Sequence, residues 1–498
     1  MGNDPAARSF SPEDRQRFRD KVQRCLDALA RMLAERSFSP EREHIGLEIE
    51  LNLIDGQGVP AMANAEVLNQ IDDPSFQTEL GQHNIEINVR PHPLRGDEAL
   101  LLEDELRASL DSAEVRARTV GTGLVMIGIL PTLRGEHFDP HWLSENDRYA
   151  VLNHEIFSSR GEEIMLNIEG VSLSGQEQER LHSYADSILP ESACTSVQLH
   201  LQVTPEDFAD HWNAAQCLAG VQVATAANSP FLLDRALWHE TRVPLFQQAT
   251  DTRPQELKNQ GVRPRVWFGE RWVTSIFDLF EENARYFPAL MPETDDEDPL
   301  AALRAGRAPR LSELRLHNGT VWRWNRPVYD VVDGQPHLRV ENRVLPAGPT
   351  VIDTMANAAF FYGAQRALAD QERPLWSQMS FHAAEENLYS GARHGMDAQL
   401  FWPGQGWTPP HELVLRTLLP MAHDGLARCG VSDAARERYL AVIEQRCLTR
   451  QTGSSWQRSR VATFEERGAN RREALLAMLR EYVELMHHGD PVHTWPTD

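Results

Sequence analysis

An α+β fold is predicted by three observations. Short runs of strict apolar–polar alternation recur within residues 1–349. Long helical patterns dominate residues 350–498. Turn residues punctuate the chain without any internal repeat or low-complexity tract. The 498 residues are 41% hydrophobic and 24% charged, ample for a large core. The chain is expected to form a single catalytic unit over 1–498. Residues 1–349 would supply mainly the sheet with its helices, and 350–498 a mainly helical part of the same unit.

The first element is a helix, with Ser11 as N-cap and Pro12 at the first helical position. Phe18, Val22, Leu26, Leu29 and Leu33 follow at helical spacing. A strand is predicted over 45–54, ended by Asp55-Gly56, and another over 84–89, stopped by Pro91 and Pro93. Residues 97–120 read as a helix rich in Leu, Glu and Arg. Residues 123–130 form an unbroken apolar run, expected to be a strand buried on both faces. A strand over 196–203 leads into a helix from Pro205 to Ala227, broken by Asn228-Ser229-Pro230. The acidic run Glu293–Asp298 reads as a solvated loop. Strands over 320–326 and 337–345 are joined by a turn containing Asp333-Gly334.

The formal net charge of −24 argues against general binding to nucleic acid or an anionic membrane, because such a field repels phosphate. A bound nucleotide would need local metal ions and arginines to reverse that field. No apolar run approaches the length of a membrane span, and the first residues lack a signal-peptide pattern. The start Met1-Gly2-Asn3 is not a convincing myristoylation signal, since Ala6 stands where Ser or Thr is preferred. Five scattered cysteines without a CxxC predict a reduced, cytoplasmic protein with no structural zinc.

Four strands share an unusual polar face. Side chains alternate across a strand, so residues i and i+2 point the same way. One face carries Glu48 and Glu50; the next carries Asn84, Glu86, Asn88 and Arg90. The third carries Gln198, His200 and Gln202, and the fourth Arg339, Glu341 and Arg343. Any one of them fits a sheet with a solvated side. Together they hold carboxylates, an imidazole, carboxamides and guanidinium groups, with no Lys, Thr or Ser between the residues named. Carboxylate oxygens suit hard cations such as Mg²⁺, and an imidazole leans toward Mn²⁺. Arginines suit phosphates. Clustered carboxylates without a cation raise one another's pKa, and bound metal removes that penalty.

These residues resemble the glutamate–cysteine ligase superfamily, in particular the bacterial carboxylate–amine ligases of its second family. The likeness extends from Gly46 to Arg460. The G-x-E-x-E strand is matched by Gly46-Leu-Glu48-Ile-Glu50. An acid followed seven positions later by a strand Glu is matched by Glu79 and Glu86. The histidine strand is matched by Ser196-Val-Gln-Leu-His200, and the E-x-R strand by Glu341-Asn-Arg343. Arg393-His-Gly395-Met-Asp397-Ala398 matches a further element.

The resemblance implies a glutamine-synthetase-like curved antiparallel sheet forming a funnel, with helices packed outside. It implies two or three divalent ions, Mg²⁺ or Mn²⁺, held by Glu48, Glu50, Glu79, Glu86, His200 and Glu341. Arg343 would meet phosphate, and Arg326 and Arg393 the nucleotide or the substrate carboxylate. Two departures bear on the substrates: Gln198 stands where many members carry His, and Asn325 where many carry an acid. A carboxamide at 198 could coordinate through oxygen or bond a substrate.

The implied activity is ATP-dependent ligation. The γ-carboxylate of glutamate would become an acyl phosphate and join the amine of cysteine, giving γ-glutamylcysteine as in glutathione biosynthesis. A different amine acceptor, or a non-catalytic nucleotide- or amino-acid-binding protein on the same scaffold, are the alternatives. The chain has no GxxxxGK[ST] and no GxSxG. Phosphoryl transfer needs positioning and charge neutralisation rather than a Ser or Cys nucleophile. Glu79 is a candidate base only where metal does not engage it. Arg242 and Arg265 are candidate carboxylate binders, set against ordinary surface arginines. Thr452–Arg458 either closes over a nucleotide or joins two helices. Small-molecule substrates are expected, without nucleic-acid or membrane partners, and homo-oligomer formation is left open.

Overall fold

A computed structural model of the protein describes residues 10–39, 44–171 and 178–497. The first helix, α1 (Pro12–Glu35), begins as its sequence dictates. The Asp14 amide donates to Ser11 Oγ at 3.1 Å, and the Ser11 amide donates back to the Asp14 carboxylate at 3.0 Å. This closes a capping box that satisfies two end donors reciprocally.

Seven antiparallel strands form the main sheet. In chain order they are β1 (His44–Asp55), β2 (Phe76–Thr78), β3 (Asn84–Pro93), β4 (Thr122–Val125), β5 (Ser196–Val203), β6 (Asn325–Val332) and β7 (Gln335–Pro346). The spatial order is β6-β7-β5-β1-β3-β2, with β4 paired to the far end of β1. The sheet curls into a half-barrel. Its ladders shift register between Ile45 and Leu47, and between Asn342 and Leu345. Such irregularities bend a strand and increase its twist. β6 and β7 are joined at the expected turn, where Asp333 (φ 51°) and Gly334 (φ 76°) both take the left-handed backbone of a two-residue hairpin.

Two strand boundaries depart from the sequence reading. The apolar run 123–130 is a strand only as far as Val125. Beyond it, side chains take the backbone instead: the Ile127 carbonyl accepts from Asn52 Nδ2 and Thr195 Oγ1, and the Met126 amide meets Met486 Sδ. The strand predicted over 320–326 is interrupted at Trp324, and the long hairpin strand begins at Asn325. The acidic run is also less solvated than expected. Asp298 caps the helix Pro299–Arg304, and Asp295 accepts from Ser312 and Arg310.

The helices used below are α2 (Glu98–Arg118), α3 (Phe208–Ala226), α4 (Arg242–Ala249), α5 (Val351–Ala369), α6 (Phe381–His394), α7 (Leu419–Arg428) and α8 (Gly453–Glu466). Leu47, Ile49, Ile85, Ile87, Val197, Leu199 and Val340 form the apolar side of the sheet and are fully or nearly fully buried. α3 lies against that side, α5 packs on α3, and α6 covers α3 from outside. α3 and α5 are buried almost all round, which explains their Ala-rich, non-amphipathic sequences. The Tyr362 hydroxyl of α5 donates to the Gly46 and His200 carbonyls at 3.2 and 3.1 Å, tying β1 to β5 from behind.

Close helix packing depends on small residues. A Cβ on Gly425 of α7 would overlap the Gly363 carbonyl of α5, and one on Gly363 would overlap the Ala422 carbonyl. Gly425→Ala is expected to destabilise the fold by about 1–3 kcal/mol, the usual cost of overpacking, as read by urea unfolding. Among the described residues no helix is long and apolar enough to cross a membrane, and all five cysteines are free thiols.

Candidate active site on the concave sheet face

Strand register builds the site. Arg326 lies opposite Glu341, Glu341 opposite His200, and His200 opposite Gly46. On the next rung Gln198 faces Glu48, which faces Asn88. On the next, Glu50 faces Glu86, and Glu86 faces Gln77 of β2. Period-two alternation along these strands therefore collects the polar residues on the side opposite the helices. Glu79 follows β2 and enters from the edge.

The carboxylates fall into two sets. Glu50, Glu79 and Glu86 offer oxygens that all lie within 4.8 Å of one another. Burial, then the charges of Glu86 and Glu50, pushes the Glu79 carboxyl well above the ordinary range. Burial and the charges of Glu48 and Glu50 push Glu86 up to about 8. Burial also raises Glu50, against the opposing charge of Arg343. This is the signature of acids crowded together without a cation. Their all-oxygen donor set fits a hard divalent ion.

The second set is Glu48, His200 and Glu341. His200 Nε2 lies 3.0 Å from Glu48 Oε1, and its buried Nδ1 has no hydrogen-bond partner. Burial works to raise Glu48, but the imidazole outweighs it and holds the carboxyl below its usual value. Burial likewise opposes ionisation of Glu341, yet Arg326 and Arg343 keep it well below the carboxylate range. Arg326 grips Glu341 through two bonds of 2.9 and 2.8 Å, and Arg343 Nη1 adds a third at 2.5 Å. Glu341→Gln leaves both guanidinium groups without their anion. It should cost about 3–5 kcal/mol of stability by urea unfolding, the penalty for breaking a buried ion pair from one side.

Gln198 bridges the two sets. Its Nε2 donates to Glu50 Oε1 at 3.1 Å, and its Oε1 accepts from Arg343 Nη1. A carboxamide supplies one donor and one acceptor at once, which is what a link between a carboxylate and a guanidinium requires. Its oxygen is thus already taken by Arg343. Ser196 completes the hold on Glu50, its amide donating at 2.6 Å.

The other arginines are placed differently. Arg242, at the start of α4, is 2% exposed. Its Nε donates to Glu240 at 2.8 Å and its Nη2 to the Val344 carbonyl at 2.8 Å. Nη1 meets no acceptor among the described residues, and the charge is felt at Glu50. Arg265 is not brought to the row: its guanidinium is buried against the Thr320 and Pro288 carbonyls. Arg393, near the end of α6, lies with its guanidinium carbon 5.7 Å from the centre of the Trp238 ring rather than on the row. Thr452–Arg458 is the capped start of α8, and Gln457 donates to Asn228 in the loop after α3.

Asn325 requires a correction. It is the neighbour of Arg326 on β6 and so points the other way, into the core. There its Nδ2 donates to Gln216 of α3 at 2.7 Å and its Oδ1 accepts from Asn342 at 2.8 Å. The difference at this position therefore bears on packing rather than on substrate. Sequence reasoning also missed Glu191, a half-buried acid in the turn before β5. No periodicity marks it, because it belongs to no strand.

A cavity of about 120 Å³ opens at the Gly46 end of the row, lined by His44, Gly46, Glu48, Asn88, His200, Gln202, His337 and Arg339. Gly46 shares the site face with Glu48 and Glu50, so its missing side chain leaves room beside the imidazole. A Cβ there would already touch His200 Cβ at 3.4 Å.

The profile of glutamate-cysteine ligase family 2 matches residues 44–478. The chain belongs to that family and is a ligase. Among solved structures, it is similar to the glutamate–cysteine ligase of Francisella tularensis, solved in complex with AMP. The identity is 13% and the TM-score 0.56, over 93% of this chain and 91% of that one. A weaker likeness, with TM-score 0.44 and 11% identity, joins 93% of this chain to 55% of a bifunctional glutathione synthetase from Pasteurella multocida. No curated protein matches the chain in sequence.

Proposed function

We propose that this protein is an ATP-dependent carboxylate–amine ligase that forms γ-glutamylcysteine from glutamate and cysteine. The observation that carries the reading is Arg343. It is fixed by Glu341 and Gln198 between two sets of potential metal ligands. Glu50, Glu79 and Glu86 would hold one divalent ion, Mg²⁺ or Mn²⁺, and Glu48, His200 and Glu341 another. Glu79 is assigned to that metal set rather than to proton transfer, since its carboxylate oxygen lies within 4.8 Å of those of Glu50 and Glu86. When bound, the ions supply the positive charge that a −24 chain otherwise denies to phosphates.

The protein's own groups do the rest. Arg343, with Arg326 beside it, steadies the transferring phosphoryl group. The cavity at the Gly46 end takes the nucleoside. Arg242 receives the α-carboxylate of the donor amino acid through its unpaired Nη1. A donor carboxylate oxygen attacks the γ-phosphorus, the bond to the bridging oxygen breaks, and ADP leaves. The amine nitrogen then attacks the acyl phosphate carbonyl, phosphate departs, and the amine loses a proton. Positioning and charge neutralisation suffice for this chemistry.

The test is ADP release by the purified protein with Mg²⁺ or Mn²⁺, ATP and glutamate, across a panel of amines. Release that depends on cysteine supports the full reading. Release with a different amine keeps the ligase and replaces the acceptor. ATP binding without turnover on any amine would overturn it.

A further inference from the structure

Glu50 and Glu86 stand on the paired strands β1 and β3, whose ladder fixes them. Glu79 has no such support, because β2 ends at Thr78, opposite Ile85. Enclosed backbone beyond a strand end still needs hydrogen-bond partners. Three consecutive carbonyls here take donors from a single stretch, residues 142–149. The Tyr149 hydroxyl donates to the Thr78 carbonyl at 3.2 Å. Ser144 Oγ donates to the Glu79 carbonyl, and the Ser144 amide donates to the Leu80 carbonyl at 2.9 Å. Gln82 closes the seam from the other side. Its amide donates to the Trp142 carbonyl at 2.8 Å and its Nε2 to the Leu143 carbonyl at 3.0 Å.

Both side chains are committed to this task. Ser144 is buried, and its oxygen also accepts from Asn64 Nδ2 at 2.8 Å, which leaves its own proton for Glu79. Tyr149 stands in the first turn of the helix Asp147–Arg160, which Asn146 caps. Burial, then the charges of Glu79 and Glu191, raises its phenol, which therefore keeps the proton it donates. The seam is dry. His83 is fully buried, with both ring nitrogens unpartnered among the described residues, and lies edge-on to Trp142 with ring centres 5.8 Å apart. The place of Glu79 is thus set by contacts with a segment outside the sheet.

We propose that Ser144 and Tyr149 are positioning residues that hold Glu79 at the distance from Glu50 and Glu86 which one divalent ion requires. The inference rests on the metal set of the ligase reading above and adds the groups that keep it assembled. Both act through the backbone around Glu79 and not as ligands. A group that orients a metal ligand is worth roughly 10- to 100-fold in affinity or activity. Calorimetric titration of the full-length protein with Mg²⁺ should show about 10-fold weaker binding in Tyr149→Phe and in Ser144→Ala. Glu79→Gln should weaken it at least as much. On the Glu79→Gln background neither change should add a further loss, because the group they position is gone. ADP release by each single variant should recover at raised Mg²⁺.

Lower unfolding temperatures in EDTA with unaltered Mg²⁺ affinity would overturn the assignment and leave both residues a purely structural role. Losses that simply add to that of Glu79→Gln would overturn it as well. Tyr149→Phe keeps the ring and its packing, so it decides the matter even where Ser144→Ala does not fold. Wild-type Mg²⁺ binding by Glu79→Gln would end the metal reading and this inference with it. A loss in Glu79→Gln without one in Tyr149→Phe would end this inference alone.

Discussion

Glu86→Gln and Glu48→Gln should each reduce metal-dependent ADP release by about 100-fold or more, with the fold intact. Loss of a group that merely orients a metal ligand costs roughly 10- to 100-fold, so loss of a ligand itself belongs at or beyond that limit. The two variants should then part company without metal. Glu86 is a crowded acid whose ionisation is opposed by burial and by Glu48 and Glu50. Its amide should leave thermal unfolding in EDTA unchanged or shifted upward near neutral pH. Glu48 is instead stabilised as an anion by His200 at 3.0 Å. Its amide gives up that attraction and should unfold at a lower temperature. Full activity in both variants would end the metal assignment. Matching downward shifts in EDTA would show that the two sets do not differ in the way their surroundings require.

That the strand carboxylates share one sheet face was legible in the sequence, because strand parity is a strong constraint; their division into two sets, which separates Glu48 from Glu50, was not. Glu48 with Glu50, Gln198 with His200, and Glu341 with Arg343 had to share faces once their strands formed. The same parity misled where a motif was taken as a block. Arg326 and Asn325 are adjacent on one strand, so only one could face the site, and it is Arg326. Glu79 lies beyond the end of β2, where alternation no longer applies, and it came from family likeness alone. Glu191 had neither aid. Its position depends on a short turn and on where β5 enters the sheet.

The apolar run 123–130 failed for another reason. Its hydrophobicity reported burial correctly, since Leu124 to Leu130 are all buried. Whether a buried backbone pairs with a strand or with side chains such as Asn52 and Thr195 depends on distant parts of the chain. Arg265 and Arg242 illustrate the same limit. Both are buried guanidinium groups bonded to carbonyls, and only tertiary placement brings one of them to Glu50.

Binding of Mg²⁺ should release protons, and its apparent affinity should climb as pH rises toward about 8, by up to about tenfold per unit for each proton displaced. The sign follows from the Glu50–Glu79–Glu86 set. Glu86 is pushed up to about 8 and Glu79 well above its ordinary value, so the metal-free protein retains protons there that the unfolded chain has lost. For acids raised in this way, the metal-free fold is favoured below the unfolded value of about 4.5. It loses stability as pH climbs through the window up to about 8. An ion bound by these oxygens needs them deprotonated, so it must displace those protons at neutral pH and far fewer above the window. Glu48 and Glu341 behave oppositely. His200 and the two arginines hold them ionised, and they release nothing near neutrality. Titration calorimetry of Mg²⁺ binding in two buffers of different ionisation enthalpy at pH 7 should therefore report net proton release that shrinks in Glu86→Gln. Unfolding temperatures in EDTA should fall between about pH 5 and 8, and excess Mg²⁺ should restore most at the upper end. Binding with no proton release, and an EDTA unfolding temperature flat across that range, would place the ion away from these carboxylates.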